Sequence, residues 1–295
     1  MKYQLFWGAL LFVVFLMGCE KDINLSVNEV SPKLVVDAQI ENGVAPTVVL
    51  TKSLGYFNTI SPQQLLNMFE RNATVRITVN NGTTVPLQET AIPLAPGVNA
   101  YVYTTNALVG NFNTTYKLDI QLATGEKYTA TTTIPALTKT MDSLWWQPAP
   151  QNPDPSRVAM FGRFTDPPGL GNYIRYFTKV NREPFFPGFT SVFDDQVVDG
   201  TTYSIQFPKG FDKNSLRDTI DFDAVGFFNK GDTATIKFCN IDKATFDFWR
   251  TWEYNYSILG SPFATPIRVL NNVNNGALGN FSGYAAQYRT IIIPR

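Results

Sequence analysis

The sequence predicts a mainly β chain: an N-terminal immunoglobulin-like antiparallel β-sandwich, then a second β-rich domain with one or two short helices. Three observations carry that expectation. Short stretches alternate apolar and polar residues with period two, which turns one strand face inward and leaves the other in water. Gly, Pro, Asn and Asp punctuate these stretches at spacings of roughly ten residues, the rhythm of a sandwich. Helical spacing of apolar residues appears in two stretches, 61–71 and 242–259.

The elements follow in order. "KLVVDAQI" (33–40) places Leu34, Val36, Ala38 and Ile40 on one face. "SPQQLLNMFER" (61–71) sets Leu65, Leu66 and Phe69 at helical spacing, so a short helix or an ordered loop is expected. "ATVRITV" (73–79) turns Val75, Ile77 and Val79 inward and Thr74, Arg76 and Thr78 outward. In "TYKLDIQL" (115–122), Tyr116, Leu118, Ile120 and Leu122 alternate with Lys117, Asp119 and Gln121. "ATGE" then leads into "KYTATTTI" (127–134), a hairpin candidate. These stretches assign 31–135 to the sandwich. "PALTKTMDSLWWQPAPQNPDPS" (135–156) has five prolines and few charges, so 136–156 reads as a Pro-rich linker.

The second domain, 157–295, opens with "RVAMFGRF" (157–164), the turn "TDPPGLG" and "NYIRYFTKV" (172–180). "TTYSIQF", "DTIDFDA" and "DTATIKFC" (232–239) are further strands. A helix is expected near 242–259, capped by Asp242, with Phe248, Trp252, Tyr256 and Leu259 in one stripe and Phe246 and Trp249 beside it. "NNVNNGALGNFSG" (271–283) reads as a loop, and "AQYRTIII" (286–293) as a final strand.

The N-terminus is of another kind. Leu5 to Met17 is almost wholly apolar. That run is too short to span a bilayer, which takes about 20 residues, but it fits the core of a signal peptide. It ends in Leu16-Met17-Gly18-Cys19, which resembles the bacterial lipobox. In such signals the cysteine thiol is diacylated and the chain is cut before it. The reading is a signal peptide at 1–18, lipidation at Cys19 and a lipid-anchored tether over 19–30. Acyl chains anchor stably because each buried methylene contributes about 0.8 kcal/mol. Glu20-Lys21-Asp22 resembles the short export signals of Bacteroidota surface lipoproteins, which favours an outer-membrane protein facing the surface over one facing the periplasm.

Composition narrows the chemistry. Hydrophobic residues make up 44% and charged residues 16%, with a net charge of zero, so no basic face points to nucleic acid. The chain has no histidine, which removes Ser-His-Asp and Cys-His catalysis and His-containing zinc sites. No GxSxG, SxxK, GxxxxGK[ST] or GxGxxG occurs. A carboxylate pair of the glycosidase type remains open, although no acidic spacing favours it. The expectation is a non-enzyme without a cofactor. Cys239, the other cysteine, reads as a small buried apolar residue.

The order of features points to a family. A lipobox is followed by "CEKDI", "KLVVDAQI" and "VVLTKSLGYFN"; then by "ATVRITV", "YKLDIQLATGEKYTATTTIP", "FTDPPGLGNYIRY", "FDDQVVDG" and "NNGALGNFSGY". This series resembles the Bacteroidota lipoproteins of domain-of-unknown-function family 4249, over nearly the whole mature chain. Members of that family are commonly encoded beside TonB-dependent outer-membrane receptors. The resemblance therefore implies an accessory subunit of a TonB-dependent transport system, with a receptor β-barrel as partner. It transfers no catalytic residue.

Several residues are candidates for contact. Trp145-Trp146, in the expected linker, either seals the joint between two domains or meets a partner. Tyr254 on the expected helix, and Phe281 and Tyr284 around the expected Asn/Gly loop, are further contact candidates. A competing function is a lipid-tethered module that holds a glycan or peptide on such aromatics. Asp194, Asp195 and Asp199 in "FDDQVVDG" are weak calcium candidates, since carboxylates supply oxygen ligands but the D-x-D-x-D-G pattern is absent. Asp218, Asp221 and Asp223 read as the wet face of a strand.

Overall fold

The computed structural model describes residues 31–54, 67–95, 98–150, 152–214, 221 and 225–295. Cys19, the signal and tether segments, most of 61–71, and Asp218 and Asp223 lie outside these residues. Pro32–Arg295 forms one compact unit. It is mainly β and sandwich-like, as expected, with one long helix among the described residues.

The alternating stretches become strands. β1 (Leu34–Glu41) and β2 (Thr47–Lys52) pair antiparallel. β3 (Thr74–Val79), β4 (Thr84–Ala95) and β5 (Val98–Thr104) form a meander. β6 (Thr114–Gln121) and β7 (Lys127–Ile134) form the expected hairpin, turned at Gly125, whose φ of 96° suits glycine. The alternation is obeyed: Leu34, Val36, Ala38, Ile40, Val75, Ile77, Tyr116, Leu118 and Ile120 are all buried in one cluster.

These strands are part of an eleven-stranded sheet of order β11-β10-β14-β15-β1-β2-β5-β4-β3-β6-β7. Here β10 is Tyr173–Val180, β11 Phe186–Phe193, β14 Thr233–Ile241 and β15 Leu278–Ile292. The sheet rolls over its core until β7, at one end, lies against β15 in the middle. A Cβ on Gly283 of β15 would sit 2.6 Å from the carbonyl oxygen of Thr133 in β7, so glycine permits that approach. A second sheet holds β8 (Met141–Pro148), β9 (Arg157–Thr165), β12 (Thr202–Phe207) and β13 (Phe228–Asn229). Its inner face packs Met160, Phe164 and Phe207 on Ile236 and Phe238 of β14. α1 (Lys243–Ser257) covers the opposite face of β14, which presents Cys239 and Ile241.

Three expectations are corrected. The segment 136–156 is not simply a linker, because Met141–Pro148 is strand β8, paired along β9. Nor does the chain divide there. β15 pairs in parallel with β1 and antiparallel with β14, which joins the two expected domains in one sheet. The loop expected over 271–283 yields to β15 from Leu278 onward, since its small residues fit where β15 is flanked closely. The helix keeps its expected cap: Asp242 accepts from the Thr245 amide at 2.8 Å. Its other oxygen accepts from Thr132 Oγ1 at 3.0 Å and the Thr133 amide at 2.8 Å, tying α1 to β7.

Candidate functional site

β8 separates the two neighbouring tryptophans by the period of a strand. Trp146 lies opposite Met160 and packs at the border of the inner core. Trp145 lies opposite Phe161 and points outward, its ring stacked on that ring with centroids 5.8 Å apart and planes 19° from parallel. Ser143, Gln147, Arg163, Ser204 and Gln206 frame this pair on the same exposed face. The two rings therefore cannot act together, and Trp145 alone is placed for contact.

The other aromatic candidates separate too. Tyr254 is 43% exposed near the end of α1. Phe281 and Tyr284 are corrected: both belong to β15 and are 0% and 2% exposed, out of reach of a partner. Phe281 fills the N-terminal core, while the Tyr284 hydroxyl oxygen accepts a hydrogen bond from Arg175. Sequence reading missed the segment after α1. Leu259 (75% exposed), Phe263 (97%), Ile267 (45%) and Leu270 (43%) lie within twelve positions of one another, beside Tyr254. That segment is pinned back along the helix. The Ile267 amide donates to Asn255 Oδ1 at 2.9 Å, Asn255 Nδ2 donates to the Ile267 carbonyl at 2.7 Å, and the Leu270 amide donates to Thr251 Oγ1 at 3.0 Å. Its apolar side chains are thus held out in water, and the signal was an apolar series with no matching inward period.

The acidic candidates rearrange. Asp195 and Asp199 converge with Asp166, not with Asp194, and their oxygens lie within 4.8 Å of one another. Asp166 and Asp195 are buried. Each carboxylate is already engaged. Asp166 is ion-paired with the buried Lys139. Asp199 accepts from the Gly169 amide at 2.6 Å. Asp195 accepts from the amides of Gly171 at 2.9 Å and Asn172 at 2.8 Å and from Asn172 Nδ2 at 3.1 Å. Burial works to raise the Asp195 pKa, but these donors outweigh it and hold the carboxyl below the usual range. The cluster is chemically a staple between the β9–β10 and β11–β12 turns. Beside it opens a pocket of about 390 Å³ lined by Val192, Asp194, Tyr203, Phe246 and Arg250 among others.

Under α1 lies a second buried polar network. Arg175 donates to Ser191 Oγ at 3.2 Å and to the Tyr284 hydroxyl at 2.7 Å, and its guanidinium lies 3.5 Å over Trp249. Ser191 donates to Glu253 through its amide at 2.8 Å and its hydroxyl at 2.5 Å, and Lys213 Nζ reaches Glu253 at 3.1 Å. Burial pushes the Lys213 pKa down, against the pull of Glu253. The network fixes the helix to the sheet, and its Ser191–Glu253 pair is buried beneath α1. Cys239 is no nucleophile, because burial pushes its thiol up to about 12.

No described helix is long and apolar enough to cross a membrane. No curated protein matches the chain. The sequence model of one family, described as Domain of unknown function (DUF4249), matches residues 20–290. That span is almost the whole chain, and the protein belongs to the DUF4249 family.

Proposed function

We propose that the protein is a non-enzymatic, lipid-anchored outer-membrane subunit that docks on a TonB-dependent receptor β-barrel. The observation that carries this reading is the exposed apolar segment Leu259–Leu270 beside Tyr254, held in place by the Asn255–Ile267 hydrogen bonds. Contiguous apolar surface costs free energy in water and marks a contact region. "LMGC" supports the anchor at Cys19, and anchoring in one membrane plane raises effective concentration, so a modest interface suffices. The resemblance of Glu20-Lys21-Asp22 to surface export signals supports an outward orientation over a periplasm-facing one.

The test starts from protein solubilised in mild detergent and identifies any partner by mass. A receptor β-barrel is expected with the wild type. Phe263→Asp is expected to reduce its recovery by about tenfold or more, as for a hot-spot side chain, with unchanged melting. A wild-type protein that purifies alone, or a variant that keeps its barrel, overturns the reading. A second reading, a glycan-binding module, is favoured by the Trp145–Phe161 stack and its frame of polar side chains.

A further inference from the structure

We propose that Asp37, Asn280 and Gln39 form a binding site for the primary ammonium group of a small ligand. β1 and β15 run in parallel, with Asp37 opposite Asn280 and Gln39 opposite Ser282, and paired residues of a sheet project on the same side. Their neighbours Val36, Ala38 and Phe281 project the other way, into the core. Asp37, Gln39 and Asn280 therefore share the face on which α1 lies.

Two acceptors on that face have no partner. Asn280 is 3% exposed, and its Nδ2 donates to Ser282 Oγ at 2.5 Å while its Oδ1 is buried with no hydrogen bond. A buried carbonyl left unpaired has lost its hydration with nothing in return, so its position calls for a donor. No described residue donates a hydrogen bond or forms an ion pair with the Asp37 carboxylate. Asp37 is open to solvent, yet burial raises its carboxyl pKa, against the pull of Arg175.

The charge selects the ligand. A hydroxyl can serve an orphan acceptor but gives the Asp37 carboxylate no direct ion pair, since Arg175 acts on it only through space. Arg175 cannot supply that pair by moving. Two of its N–H groups hold Ser191 and Tyr284, and its guanidinium is held against Trp249 and Phe177. An ammonium group brings the charge and three N–H donors, matching one carboxylate and the amide oxygens of Asn280 and Gln39. This site shares no residue with the docking segment, so each is tested by its own variant.

An ammonium group has several sources, and calorimetric titration of the intact protein separates them. The probes are alaninamide for a peptide N-terminus, Nα-acetyl-lysinamide for a lysine side chain and glucosamine for an amino sugar, with N-acetylglucosamine as the uncharged control. At least one amine is expected to bind, and Asp37→Asn to weaken it by about tenfold or more, the worth of a charge-assisted hydrogen bond. Asp119→Asn, on the exposed face of β6, is expected to bind like the wild type. Three results overturn the proposal. None of the amines binds; Asp37→Asn binds them unchanged; or N-acetylglucosamine binds as well as glucosamine. A nitrogen-15 NMR spectrum showing the Asn280 side-chain amide donating to Asp37 also overturns it, since the two groups would then satisfy each other.

Discussion

Strands β1–β7, together with the start of β15, enclose a core of Leu, Val, Ile, Ala, Tyr and Phe, and among their described residues the one buried charge is Glu41, at the seam with Lys237 of β14. Strands β8–β14 and α1 enclose Lys139, Asp166, Arg175, Asp195 and Glu253, all at most 4% exposed. The first region is held by apolar burial, which is non-directional and forgiving. The second is held by donors and acceptors that must meet with correct geometry, and removal of one leaves its partner stranded. Mutations of similar size should therefore act unequally in the two regions.

The largest expected effect is at Lys139–Asp166. Lys139→Met leaves the buried Asp166 carboxylate without its cation and is expected to cost about 3–5 kcal/mol in denaturant unfolding. Adding Asp166→Leu should restore most of that loss, because an apolar pair of similar volume replaces a buried ion pair at little cost. A single variant as stable as the wild type would show that the second region is not held by its charges.

Next comes Asp195→Asn. The amide cannot accept from all three of the donors on Asp195, and about 1–3 kcal/mol is expected to be lost. The folded pKa of Asp195 is depressed, so its contribution is present above the unfolded carboxylate value of about 3.9 and is lost as pH falls through the lower folded value. Acidification through that window should therefore destabilise the wild type more than the variant. Parallel acid curves for the two proteins would remove Asp195 from the comparison.

In the apolar region the matched change is Ile77→Val, at a side chain that is 0% exposed. It strands no partner and is expected to cost about 0.5–1.5 kcal/mol, with no pH dependence. A cost above that of Asp195→Asn would reverse the ranking of the two regions.

The same contrast explains what could be read from the sequence. In the first region the local pattern is the structure: Leu118 and Ile120 are inward because they alternate, and the hairpin follows from "ATGE". In the second region the decisive pairs join residues far apart in the chain, such as Ser191 and Glu253, 62 positions apart. Nothing local to Lys139 announces Asp166. The same reason hid the parallel pairing of β1 with β15, and with it the Asp37–Asn280 site. Trp145-Trp146 was misread for a different cause: prolines on either side of "MDSLWWQP" suggested a linker and masked a strand whose alternation places the two rings on opposite faces.

That alternation yields the smallest effect and the sharpest local contrast. Trp146→Ala opens space at the edge of the cluster around Met141 and Phe164, so its cost should exceed that of Trp145→Ala in unfolding experiments. Trp145 makes its ring contact with Phe161 on the solvent face, and losing that stack is expected to cost about 0.5–1.5 kcal/mol. If Trp145 serves a glycan, Trp145→Ala should abolish retention on a glycan array that the wild type shows, while the fold persists. A wild type that is retained nowhere would leave the stack as a cross-strand pair whose role is structural. Equal destabilisation by the two variants would mean that the outer face of β8 is covered, and that the sheet does not distinguish its two tryptophans in the way that its register requires.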